Sequence, residues 1–90
     1  MRTKPGRCSL NLYVRPGCHL CEDMWMQLQE LRENLEFELD IVDIEGSPAL
    51  EETHGRRIPV LEADGVELCN FYLDQQALLN HLERRRSMAI

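Results

Sequence analysis

Cys18 and Cys21, three positions apart, are the residues whose type and spacing most directly imply chemistry in this chain. They close the stretch Y-V-R-P-G-C-H-L-C, Tyr13 to Cys21, which follows a short apolar run and opens a long helical pattern. If a helix begins at Cys18, residues i and i+3 share one face and their α-carbons lie within disulfide reach. Such a pair can open and close without large backbone movement. At a helix N-terminus the unpaired amides and the positive end of the dipole favour a thiolate over a thiol, each unit of pKa lowering representing about 1.4 kcal/mol. Cys18 is therefore read as the nucleophile. Cys21, a turn further in and less exposed, is positioned to attack a mixed disulfide formed on Cys18, and is read as the resolving thiol. His19 lies between them. A nearby imidazole would stabilise the Cys18 thiolate and make the disulfide more oxidising, and an exposed helix-start residue is the equal alternative. Glu22 and Asp23 suit the dipole but would oppose thiolate formation if they faced Cys18.

Elements able to position this pair follow from the pattern of the chain. Residues 1–7 hold a Pro-Gly pair and no periodicity, and read as a flexible arm. Cys8 to Val14 alternates, with Leu10, Leu12 and Val14 on one face, which predicts a first strand broken by Arg15, Pro16 and Gly17. From Cys18 to about Leu35, Cys21, Met24, Leu28, Leu31 and Leu35 recur at helical spacing, with Trp25 adjoining the stripe as a core or helix-packing residue without a functional role. Phe37, Leu39 and Ile41 alternate with acids, as in an edge strand with one wet face. Ser47-Pro48 opens a short helix that ends at Gly55. Ile58 to Glu62 and Val66 to Cys69 form two strands around an Asp64-Gly65 hairpin turn. Asp74 caps a last helix with the stripe Leu78, Leu79 and Leu82, and Arg84 to Arg86 form its solvated end. The order is β-α-β-α-β-β-α.

Composition narrows the classes of function. Ninety residues suit one domain, 1–90, with a single modest core. A net charge of -6, from sixteen acids against ten bases, argues against general nucleic-acid binding. No apolar run approaches the roughly 20 residues of a membrane span, and the basic N-terminus lacks a signal-peptide core, so a cytoplasmic protein with no membrane partner is expected. Four cysteines in that setting do not suggest a structural disulfide framework. Cys8 and Cys69 default to small buried apolar residues. Metal binding finds no second C-x-x-C and no H-x-x-x-H pair, and Cys8, Cys69, His54 and His81 are too scattered to form a ligand set. No metal is therefore expected.

A C-x-x-C after the first strand of a β-α-β pattern marks thioredoxin-like redox proteins. With R-R-I-P-V-L-E and D-G-V-E-L further on, the chain resembles the small bacterial glutaredoxin-like proteins from Leu10 through the last helix. The resemblance implies an α/β thioredoxin-like fold of glutaredoxin type, a four-stranded mixed sheet flanked by helices. It also implies that Pro59 is cis beside the reactive pair, with the Ile58 backbone able to pair with an extended peptide or with glutathione. By the same architecture Cys69 lies nearer the C-x-x-C than Cys8 does. Arg15 stands where glutaredoxins commonly carry a basic residue, and with Arg56 and Arg57 it could rim the thiol and attract an anionic partner. For Arg56 and Arg57 a merely solvated role has equal weight. The implied activity is that of a thiol-disulfide oxidoreductase acting on protein disulfides or glutathione mixed disulfides, with no organic cofactor or metal and with glutathione or a reductase as electron donor. Two alternatives are a thioredoxin-fold adaptor without turnover and an iron-sulfur or metal-binding protein. One departure concerns glutathione. Glutaredoxins usually place a Gly-Gly pair and an acidic residue after the fourth strand, where this chain has Cys69-Asn70-Phe71-Tyr72-Leu73-Asp74. Without the glycines the close backbone approach is lost, and only Asp74 matches.

Overall fold

The computed structural model describes residues 8–88, and the arm expected at residues 1–7 lies outside them. The elements are β1 (Cys8–Val14), α1 (His19–Leu31), β2 (Phe37–Asp43), α2 (Pro48–His54), β3 (Val60–Ala63), β4 (Val66–Asn70) and α3 (Gln75–Met88). This is the expected element order. They build one sheet in the order β2-β1-β3-β4, so β1 is central and β2 is an edge. Strands β1 and β2 run parallel, Cys8 opposite Phe37 and Val14 opposite Asp43, which requires α1 to cross back over the sheet. Strand β3 is antiparallel to β1, with Tyr13 opposite Val60, and β4 is antiparallel to β3.

Alternation along β1 divides the two faces. Leu10 and Leu12 are fully buried against Met24 and Leu28 of α1, Phe37 of β2, Leu61 and Ala63 of β3, and Leu78 of α3. Each such leucine contributes about 2 kcal/mol through burial. On the opposite face Tyr13 stacks on His54 at the end of α2, with ring centroids 4.1 Å apart. Helices thus cover both sides of a mixed sheet. Residues 64 and 65 form the hairpin turn, with φ of 52° at Asp64 and 79° at Gly65, the two positive angles of a type I′ turn that Asp-Gly tolerates. Ser47 caps α2 through the Leu50 amide, and Pro48 occupies the first turn, where its missing N–H leaves nothing unpaired.

Several boundaries differ from the periodicity. Helix α1 stops at Leu31 instead of near Leu35, because residues 32–34 tighten into turns, Asn34 and Leu35 both donating to the Leu31 carbonyl, so that the chain can enter β2 at Phe37. Leu35 still packs against the core from outside the helix. Strand β3 begins at Val60, two residues later than expected, since Pro59 at its entry has no amide to donate to the ladder; the Ile58–Pro59 bond is cis. Leu79 is exposed, whereas Leu78 is buried and Leu82 packs on the core. Adjacent helical positions diverge by about 100°, so the narrow stripe admits only one of the pair. Trp25 is likewise not a core residue: it is 43% exposed, one position round the helix from buried Met24. Ile41, on edge strand β2, is exposed beside it. Among the described residues no helix is long and apolar enough to cross a membrane.

Candidate redox site

The loop after β1 is built to present Cys18. Pro16 and Gly17 are the central residues of a turn closed by the Cys18 amide donating to the Arg15 carbonyl at 3.2 Å. Gly17 has φ of 78°, the third-position angle of a type II turn, which a side chain would strain. Cys18 follows as the N-cap of α1, in extended conformation, and its Sγ accepts the Cys21 amide at 3.1 Å. A cap position normally held by a serine or aspartate oxygen is here held by sulfur, so backbone N–H groups and the helix dipole both favour negative charge on it. Cys21 is buried at 4% exposure and joined to half-buried Cys18 in a disulfide with Cα atoms 5.2 Å apart. The outer sulfur is reachable; the inner one is shielded.

A cleft of about 250 Å³ opens beside the pair, lined by Val14, Arg15, Pro16, Gly17, Cys18, Cys21, Glu22, Trp25 and Ile41. The sequence gives Trp25 only a packing role and Ile41 only a place on a strand, and puts neither beside the cysteine pair. For Trp25 a signal existed: it stands four and seven positions after Cys21 and Cys18, on the same helical face. For Ile41 none did, since only the parallel pairing of β2 with β1 brings it there.

The remaining sequence candidates have the following places. Pro59 is buried in a cis bond after half-buried Ile58, at the entry to β3. Because Val60 pairs with Tyr13, that entry lies at the same end of the sheet as the loop leading to Cys18. The Pro59 carbonyl accepts the Phe71 amide at 3.0 Å. His19 is exposed in the first turn of α1. Arg15 ion-pairs with Glu51 of α2, and Arg57 with Glu67 of β4 at 2.8 Å while also donating to the Thr53 carbonyl. The two arginines thus have acidic neighbours that offset their charge toward an incoming anion. Neither acid was legible as a site neighbour, lying 36 and 10 positions away in sequence.

On the other flank of α1 a cavity of about 430 Å³ lies between Leu20, Asp23, Met24 and Gln27 and the segment Phe71 to Leu73. Phe71 takes a φ of 64°, a left-handed angle uncommon for a bulky residue, at the place where the resemblance leads one to expect glycine. Tyr72 is 72% exposed. Asp74 caps α3, its Oδ1 accepting the Ala77 amide at 3.0 Å.

The other two cysteines stand apart. Burial pushes the Cys69 thiol up, with the Asp74 backbone pulling the other way, and burial together with Asp64 pushes the Cys8 thiol up against the opposing charge of Arg85. Both therefore hold their protons at neutral pH and are poor nucleophiles. Cys69, next to the last residue of β4, is at the end of the sheet that carries the disulfide, and Cys8 begins β1 at the other end. The expected order of proximity is borne out.

A central parallel β-α-β unit, a following β-hairpin and a disulfide-bonded C-x-x-C at the start of the first helix together define a thioredoxin-like fold carrying a cysteine pair. The fold is shared with thioredoxin 1 of Thermosipho africanus, at a TM-score of 0.60 and 15% identity over 90% of this chain and 97% of that one. Likeness is greater to the solution structure of protein Ne2328 from Nitrosomonas europaea, with a TM-score of 0.79 and 35% identity over 90% of this chain and 98% of that one. The uncharacterized protein Rv0508 of Mycobacterium tuberculosis is 31% identical over 84 residues, 88% of this chain and 87% of its own. Residues 9–83 match the glutaredoxin-like domain (DUF836), and the chain belongs to that family.

Proposed function

We propose that the protein is a thiol-disulfide oxidoreductase that works through Cys18 and Cys21. The observation that carries this reading is the asymmetry of the pair: Cys18 is an accessible N-cap sulfur, and Cys21 is its buried disulfide partner one turn into α1. In the reduced protein the Cys18 thiolate attacks one sulfur of a substrate disulfide, forming a mixed disulfide and expelling the other sulfur as a thiolate that takes a proton from solvent. Cys21, deprotonated, then attacks the Cys18 Sγ and expels the second substrate thiolate, leaving the Cys18–Cys21 disulfide. Two electrons have passed to the substrate, and an external thiol, glutathione or a reductase, returns them to the pair.

Disulfides within proteins suit the site better than glutathione mixed disulfides. The cleft beside Cys18 is mostly apolar, with Trp25 and Ile41 as one wall. Arg15 and Arg57, which would meet glutathione carboxylates, are paired to Glu51 and Glu67, and Phe71-Tyr72 replaces the glycines that would let backbone amides approach. An extended peptide can still pair with the backbone of half-buried Ile58 at the entry to β3.

The test is equilibration in glutathione redox buffers followed by acid trapping and peptide mass analysis. The expected result is a reversible Cys18–Cys21 disulfide with little Cys18–glutathione adduct. A dominant adduct would shift the substrate class to glutathionylated thiols. Cysteines that stay reduced across the whole range would overturn the redox reading.

A further inference from the structure

At the end of the sheet opposite the disulfide, three side chains that sequence spacing left unconnected meet. Cys8 begins β1, Asp64 occupies the hairpin turn between β3 and β4, and His81 lies in α3. One ligand atom from each lies within 4.8 Å of the other two, and the His81 Nε2 is 2.8 Å from the Asp64 Oδ2. We propose that Cys8, Asp64 and His81 form a binding site for a thiophilic divalent cation of the zinc class, separate from the Cys18–Cys21 pair.

The donor set is one sulfur, one imidazole nitrogen and one carboxylate oxygen, all ordinary zinc ligands at about 2.0–2.3 Å. Tetrahedral bonds of those lengths set neighbouring donor atoms roughly 3.3–3.8 Å apart, so a movement of about 1 Å per side chain closes the site. Each donor comes from a different element, and each element is held by other contacts. Cys8 is in register with Phe37, Asp64 is fixed by the type I′ turn, and α3 is anchored by buried Leu78. Cys8 is buried at 3% and the His81 side chain is nearly so, whereas Asp64 is open to solvent and leaves room for water as the fourth ligand. On binding, the cation takes the place of the Cys8 thiol proton, which leaves to solvent, and of the proton that His81 Nε2 shares with Asp64, which moves to Nδ1 or leaves to solvent; no electrons move. Arg85, 2.9 Å from the same Asp64 oxygen, is the competing cation and must swing aside.

The test uses the full-length, untagged chain with Cys18–Cys21 kept oxidised, so that this pair cannot ligate. Zn(II) is titrated and the bound metal measured after gel filtration, with Co(II) as the spectroscopic probe. The expected result is one Zn(II) per chain and a Co(II)–thiolate charge-transfer band. Cys8→Ser should abolish the band, and both Cys8→Ser and His81→Gln should weaken Zn(II) binding at least ~10-fold, with Cys69→Ser unchanged. His81→Gln, outside the buried core cluster that contains Cys8, keeps the test open if Cys8→Ser fails to fold. Zn(II) retained equally by the Cys8 and His81 variants, or a parent protein that shows no thiolate band with Co(II), would overturn the proposal.

Discussion

The two ends of β1 carry cysteines under opposite conditions. At its start Cys8 lies in the apolar core, its thiol pushed up by burial and by the Asp64 carboxylate. Beyond its other end, Cys18 sits where a helix begins, with a backbone amide donating to its sulfur and solvent on its outer side. The residue type is the same; what differs is which dipoles face the sulfur and whether water reaches it. Reactivity in this fold is thus assigned by position along one strand, and the cleft, Trp25 and the proline entry to β3 gather at only one of its ends.

The contrast breaks most completely at Cys18. Cys18→Ser should remove disulfide reductase turnover by at least ~10³-fold, while Cys21→Ser should accumulate a substrate mixed disulfide on Cys18, both read by an insulin or model-peptide reduction assay and intact mass. Cys8→Ser should leave that turnover in place. A subtler comparison is alkylation of the reduced protein at pH 7. Cys18 should react with iodoacetamide at least ~10-fold faster than Cys8 or Cys69, as quantified by peptide mass spectrometry, and comparable rates would remove the distinction between the two ends. Smaller again is Trp25→Ala. Loss of the cleft wall should lower kcat/KM toward an extended peptide disulfide roughly 3- to 10-fold, or about 1 kcal/mol, with little change toward a small disulfide such as hydroxyethyl disulfide.

The smallest effect belongs to the quiet end. His81, first of all, and Arg85 hold the Asp64 carboxyl below its ordinary range despite partial burial. A folded-state pKa below the unfolded one adds stability above the unfolded value of about 3.9 and loses it as pH falls through the folded value. Because Asp64 and Arg85 are a third or more exposed, solvent screens the gain. Asp64→Asn, which keeps a side chain suited to positive φ, should therefore cost roughly 0.5–1 kcal/mol by urea unfolding at pH 7 in chelator, and progressively less as pH falls below the unfolded value.

Much of this was legible in the chain because it is local. The C-x-x-C, the Pro16-Gly17 turn, the Ser47-Pro48 and Asp74 helix starts and the Asp64-Gly65 hairpin each depend on residues a few positions apart, and each is found as expected. The element order follows from the same short-range periodicities. Trp25 escaped because apolar periodicity does not distinguish a side chain facing the core from its neighbour facing a cleft. Leu79 escaped for the same reason, and the end of α1 because tertiary closure onto β2, not helix propensity, stops it.

Sequence alone thus determined which residues can carry thiol chemistry, the helix start that favours one of them, and the order of strands and helices, since all of these rest on interactions within a few residues. Tertiary structure alone decided which charges lie beside Arg15 and Arg57, that Trp25 and Ile41 wall the cleft, and that Cys8, Asp64 and His81 meet. Those neighbours are separated by about 10 to 73 positions along the chain, and only the register of the sheet and the packing of α2 and α3 bring them together.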